Sequence, residues 1–282
     1  MKNSLRSQKI AFFFLLIATL FIVIPVGLII VVIIQKGLPA INWQFIFDIP
    51  RQGMRAGGIF PAIVGTIYLV TGAILFALPI GVMSAIYLSE YSRENVLTRL
   101  IKLAIINLSG VPSVVYGLFG LAIFVVFFKF GASILSGSLT LGIMILPIII
   151  TASREALESV PQSFREVSLS LGASKWQTTR HIVLPNAVPG ILTGTILGLG
   201  RAAGETAPIL FTVAAFYLPK LPHSIFDQAM ALPYHLYVIS TQVPNVDEKI
   251  RYGTAFVLLT IVLFMNLIAI IIRYQFRKKK KW

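Results

Sequence analysis

Arg201 and Glu205 place opposite charges four residues apart inside an apolar run, in the stretch Gly200-Arg201-Ala202-Ala203-Gly204-Glu205-Thr206-Ala207-Pro208. On a helix that spacing puts both side chains on one face, so they neutralise each other or turn together toward a neighbouring helix. Arginine before glutamate is the less favourable order for an isolated pair, which favours a role between helices or between subunits. Arg201 lies twelve residues past Pro189, or ~18 Å along a helix. A guanidinium that deep in hydrocarbon costs about 2.5 to 3.5 kcal/mol. Pro208 cannot donate to the Gly204 carbonyl, which predicts a bend or an opening one turn past the charges. Two readings fit these residues. One is a structural ion pair that knits a bundle together. The other is a step for an anion, since arginine offers planar, permanently charged donors suited to phosphate or carboxylate.

A second polar group sits among apolar residues at Asn107, Ser109, Gly110, Pro112, Ser113 and Tyr116. Gly110 and Pro112 disfavour a straight helix there. The hydroxyls of Ser109, Ser113, Tyr116 and Thr206 could donate hydrogen bonds to an oxyanion without adding charge. Equally, serine and glycine allow helices to pack closely.

The stretch 153–188 is polar and carries two helix-start signatures. Ser163-Phe164-Arg165-Glu166 and Ser174-Lys175-Trp176-Gln177 each have the spacing of a capping box, in which the first hydroxyl and the fourth side chain satisfy each other's backbone N–H. Gly172 between them suits the left-handed turn that closes a helix. The pattern predicts a helix-turn-helix whose second helix runs toward Leu184 before Pro185 and Pro189 interrupt it. A plain solvated connector fits the same boxes.

Other chemistry is poorly represented. No cysteine is present, and His181, His223 and His235 are far apart, so no metal site and no catalytic group is expected. The phosphate-cradling pattern G-x-x-x-x-G-K-[ST] is missing, so the chain lacks an ATP loop of its own.

The elements that must position these residues follow from composition. The chain has 282 residues, 57% of them hydrophobic and only 12% charged, with a mean hydropathy of +0.87. A soluble domain carries about 25% charged residues, so lipid has to serve as solvent and the lipid bilayer as surroundings. Apolar runs predict spans at about 10–34, 59–88, 103–128, 189–213 and 253–272. A weaker one at 134–152 is interrupted by Gly137, Ser138 and Thr140. Basic residues in short loops stay on the cytoplasmic side. Six spans with the N-terminus inside leave 16 Lys and Arg inside against 7 outside, whereas five spans reverse the balance to 9 against 14. Both termini are therefore expected in the cytoplasm. The net charge of +14 concentrates in Arg273, Arg277 and Lys278 to Lys281, a juxtamembrane anchor rather than a nucleic-acid patch. The second outer segment, 214–252, carries Ile225, Phe226, Met230, Leu236 and Tyr237, which predicts a helix lying on the membrane surface. The domain reading is 1–58 for the N-terminal segment, first span and outer loop, and 59–282 for the core.

The register of the cytoplasmic loop adds a resemblance. Glu166, Gly172, Ile182, Leu184 and Pro185 match the E-A-A-x3-G-x9-I-x-L-P loop of permease subunits in ATP-binding-cassette importers, with Val167 and Ser168 in place of the two alanines. From about Gly57 onward, G-G-I-F-P-A-I-V-G-T at 57–66, G-V-P-S-V-V-Y-G at 110–117 and R-A-A-G-E-T-A-P at 201–208 look like the PstA family of phosphate importers. The resemblance implies an all-α, six-span type I permease subunit whose loop is a coupling helix docked in a separate ATPase, with Arg165, Glu166, Gly172 and Trp176 at that contact. It implies a PstC-like second permease, two PstB-like ATPases that use ATP-Mg, and a PstS-like protein delivering phosphate from outside. No cofactor would be bound by this chain, and the location would be the inner membrane of a prokaryote. Arg201 and Glu205, with Thr206, Ser109, Ser113 and Tyr116, would line the path. A permease for another oxyanion, the PstC-type partner, an ion-coupled secondary transporter and a membrane scaffold are the alternatives.

Overall fold

The apolar runs fold as helices throughout residues 2–278, which the computed structural model describes. Helix α1 (Lys2–Gly37) absorbs the first run whole. After a short turn, α2 (Trp43–Phe47) starts where the Asn42 side chain accepts from the Phe45 N–H at 2.7 Å. Two-residue strands β1 (Pro50–Arg51) and β2 (Ala56–Gly57) pair antiparallel. They lead into α3 (Phe60–Ile86), which continues through a wide π-helical turn, Tyr87–Tyr91.

The third run breaks where glycine and proline predict it. Helices α4 (Val96–Ser109) and α5 (Ser113–Gly120, extended by a π turn to Phe127) meet at 103° across Gly110–Pro112. The weak fourth run proves to be the centre of the molecule. Helix α6 (Ile134–Glu158) is capped by Ser133 and buries Leu141, Met144, Ile145 and Ile149 completely. Its serines and threonines lower hydropathy because they face protein rather than lipid: Ser136, Ser138 and Thr140 are buried, and Ser138 and Thr140 donate to the Leu69 and Ser136 carbonyls. Small residues let the backbones approach, since in lipid close packing replaces hydrophobic drive.

In the 153–188 stretch, α7 (Gln162–Ser170) is followed by α8 (Lys175–Thr178), a π turn at Thr179–Val183, and α9 (Leu184–Gly204). The expected interruption at Pro185 and Pro189 does not occur, and Lys175–Gly204 is one continuous span. The π turn widens the backbone just before Pro185, which falls in the first turn of α9. Side chains take up carbonyls nearby: Asn186 Nδ2 donates to Ile182 O at 2.8 Å and Thr193 Oγ1 to Pro189 O at 2.9 Å. Proline is tolerated in a spanning helix where a local adjustment such as the wide turn at 179–183 absorbs the missing donor.

After α10 (Ala207–Thr212), the segment 214–252 folds back as α11 (Leu232–Thr241), and α12 (Glu248–Lys278) is the last described helix. The surface helix expected in 214–252 is corrected. Leu232, Tyr234, His235, Val238 and Ile239 of α11 are buried in the main core, as is Met230, whereas Ile225 and Phe226 stay exposed. The anchor is the Leu232 N–H, which donates to Thr66 Oγ1 of α3 at 2.8 Å. Five helices are long and apolar enough to cross a membrane, six with the bent α4–α5 pair counted as one span, among the described residues. Lys279 to Lys281 of the expected basic anchor lie outside those residues.

Candidate functional site

Helix α9 stops at Gly204, and Glu205 leaves it in an extended conformation (φ −77°, ψ 140°). Pro208 falls in the first turn of α10, where a missing N–H costs nothing. The opening therefore lies at Glu205–Thr206, beside the charges rather than a turn beyond them. Arg201 occupies the last turn of α9, where the helix dipole and free carbonyls favour a cation. Its Nε lies 3.5 Å from Glu205 Oε1, with the side chains 28% and 19% exposed. The two pair with each other, and the expected partner helix is not needed within this chain. At that separation the contact is ionic, and the guanidinium makes no hydrogen bond among the described residues. Its planar donors remain open to an acceptor.

The depth of the pair follows from packing. Gly198 of α9 sits against Ile145, the middle of α6. Arg201 is three residues further, ~4.5 Å along the helix. Two of the sequence motifs converge here. A side chain on Gly117 of α5 would meet Phe211 and the backbone of Ala207 and Pro208, so the break is clamped against α5. Tyr116 is buried and within electrostatic reach of Arg201. Its hydroxyl already donates to Leu108 O at 2.7 Å, bracing the α4–α5 bend. Ser109 is exposed and donates to Ile106 O, while Ser113 and Thr206 are half-buried beside the two breaks. The third motif, 57–66, lies elsewhere: its Gly65 leaves room for the Met230 carbonyl and holds the outer segment.

One polar neighbour was missed in the sequence. Asn266 of α12 brings its amide against Gly200, and its Oδ1 is buried without a hydrogen bond among the described residues. The signal was present as a lone amide in Leu263-Phe264-Met265-Asn266-Leu267, which a hydropathy average conceals.

In the 153–188 hairpin, the first capping box does not form. Helix α7 begins at Gln162 behind Pro161, so Ser163 is already inside it and caps nothing. Glu166 is exposed. The second box forms with both arms, Ser174 N–H to Gln177 Oε1 at 2.7 Å and Gln177 N–H to Ser174 Oγ at 3.3 Å. Gly172 adopts φ +83°, the left-handed turn expected of it. The Ser168 and Thr178 hydroxyls, 2.9 Å apart, join the two arms. Trp176, Val167 and Leu171 are exposed, the last at 83%. Arg165, expected beside them, points inward instead and is spent on internal contacts.

Residues 77–282 match the family model described as binding-protein-dependent transport system inner membrane component. The chain belongs to that family. It is accordingly an integral inner-membrane permease component of an ATP-binding-cassette importer, a class that works with ATPase, permease and binding-protein partners. Among permeases it is 34% identical over 263 residues to the probable ABC transporter permease protein YqgI of Bacillus subtilis (strain 168), covering 88% of this chain and 89% of that one. It is 33% identical over 287 residues to the phosphate transport system permease protein PstA 1 of Mycobacterium tuberculosis (strain ATCC 25618 / H37Rv), covering 99% and 90%. The permease fold also matches a chain of the MetNI methionine ABC transporter in an inward-facing conformation, with a TM-score of 0.59 at 16% identity over 78% of this chain and 94% of that one.

Proposed function

We propose that this permease subunit moves inorganic phosphate into the cytoplasm by alternating access and performs no bond chemistry. Relatives along nearly its whole length carry the PstA name. The observation that carries the reading is Arg201, a permanent cation near the middle of the bundle whose donors are unspent and whose helix opens beside it. A tetrahedral oxyanion offers the acceptors that this planar fork suits. Glu205 holds the guanidinium loosely between substrates; Thr206 lies in that opening, while Ser109 and Ser113 border the α4–α5 bend. Tyr116 contributes as a brace.

In this reading the core is 59–282, preceded by 1–58, and both termini face the cytoplasm. The hairpin within 153–188 meets one of two PstB-like ATPases, which bind ATP-Mg, through Glu166, Trp176 and the Gly172 turn. A PstC-like permease completes the pair, and a PstS-like protein delivers phosphate at the outer face. The test is reconstitution of the chain with these partners in liposomes. Labelled phosphate should accumulate only with ATP on the ATPase side. Uptake without an ATPase partner, driven by an ion gradient, would overturn the reading.

A further inference from the structure

Arg165 was expected on the docking face, but its guanidinium is buried where three elements meet. Nη2 and Nε donate to Glu90 at 2.6 and 3.1 Å, at the end of the turn that extends α3. Nη2 also donates to Leu157 O at 2.9 Å and Nη1 to Val160 O at 2.7 Å, at the C-terminal end of α6. The side chains of Arg165 and Glu90 are only 13% and 7% exposed. One planar group thus caps α6, pairs with α3 and belongs to α7. A second contact runs alongside, with Lys175 Nζ 5.1 Å from the centre of the Tyr91 ring. Below them Phe164 and Leu184 pack on the apolar cluster of Ala85, Leu157, Val160 and Val183.

A connector that only had to fold would bury apolar groups here, because a buried ion pair is seldom worth more than a well-packed apolar replacement. What the pair adds is direction. A bidentate guanidinium with every partner fixed resists rotation, whereas apolar contacts slide. The geometry points to Glu90 and Arg165 as positioning residues that make the hairpin, α3 and the end of α6 move as one body, so that a push on the exposed face of α7 and α8 reaches the core through α3 and α6. This rests on the permease reading above and deepens it: the exposed residues receive the stroke and the buried pair distributes it.

The test uses the full complex in liposomes. Glu90→Met with Arg165→Met removes both charges and keeps apolar volume, so assembly should survive. Phosphate moved per ATP hydrolysed should then fall about tenfold, within the range over which coupling residues act. The native chain has no cysteine, so spin labels on cysteines introduced at Ser163 of α7 and Met83 of α3, both exposed, report the linkage without reference to substrate. Their separation should not change with nucleotide in the parent and should change in the double variant. An assembled double variant with the parent's transport ratio and an unchanged label distance would overturn the inference. If the double variant does not assemble, Arg165→Lys decides, since an ammonium keeps the charge but not the fork: a lowered ratio supports the inference and a parental ratio refutes it. Should the parent move no phosphate at all, the phosphate reading fails while the label distances still judge the linkage.

Discussion

Arg201 and Arg165 have the same side chain, and burial with fixed partners separates their roles. The Arg165 guanidinium spends four of its five N–H groups on Glu90 and two carbonyls. Arg201 has one ionic contact at 3.5 Å and is over a quarter exposed. Arg201→Ala should therefore lower phosphate uptake by about thirtyfold, the effect of losing ~2 kcal/mol of charge-assisted binding, while ATPase subunits still co-purify in normal yield. Arg201→Lys should lose less, because charge remains without the planar fork. Uptake assays beside complex yield check both; a fall in yield matching the fall in uptake would instead mark Arg201 as a clasp.

At the scale of elements, breaks matter as much as helices. Gly110–Pro112 turns one span by 103°, Glu205–Thr206 opens another, and Gly172 turns the chain between α7 and α8. Gly172 has open space around the position of a Cβ, so a substitution there fails by backbone strain and not by collision. At φ +83° a side chain costs about 1–2 kcal/mol, and a β-branched one more. Gly172→Val should loosen the hairpin and reduce transport-linked ATP hydrolysis, while phosphate binding to the external binding protein is unchanged. Comparing ATPase stimulation between Gly172→Ala and Gly172→Val checks the gradation.

For the molecule as a whole, the segment carrying α11 is part of the core rather than a lid on it. His235 of α11 is buried, and desolvation pushes its pKa down from 6.5 to about 4. The folded state thus keeps His235 neutral where the unfolded chain would take a proton. The sign follows: this contribution to stability is complete above pH 6.5 and is lost as the pH falls toward 4. The melting temperature of the purified complex should decline over that window, and His235→Leu should flatten the decline. A parental slope in that variant would show that other groups carry it.

Much of this architecture was legible in the residues themselves. Apolar length located the spans, the balance of Lys and Arg chose six over five, and glycine and proline marked the bend at 110–112, because each is a local property of the chain. Hydropathy undervalued α6 because the hydroxyls that lower it donate to backbone carbonyls inside the bundle, and it made a surface helix of α11 because an average says nothing about which neighbours cover a segment. The prolines at 185 and 189 follow a related rule: whether a missing N–H breaks a helix depends on the backbone around it, here the wide turn at 179–183, and not on the proline alone. The candidate site divides in the same way. By itself the sequence determined that an arginine and a glutamate lie together in an apolar run and that a glycine turn joins two short helices before it. Only the tertiary structure decided that Arg201 keeps its donors free while Arg165 spends four of its five N–H groups, because hydrogen-bond partners from residues 90, 157 and 160 reach a side chain through packing and not through spacing.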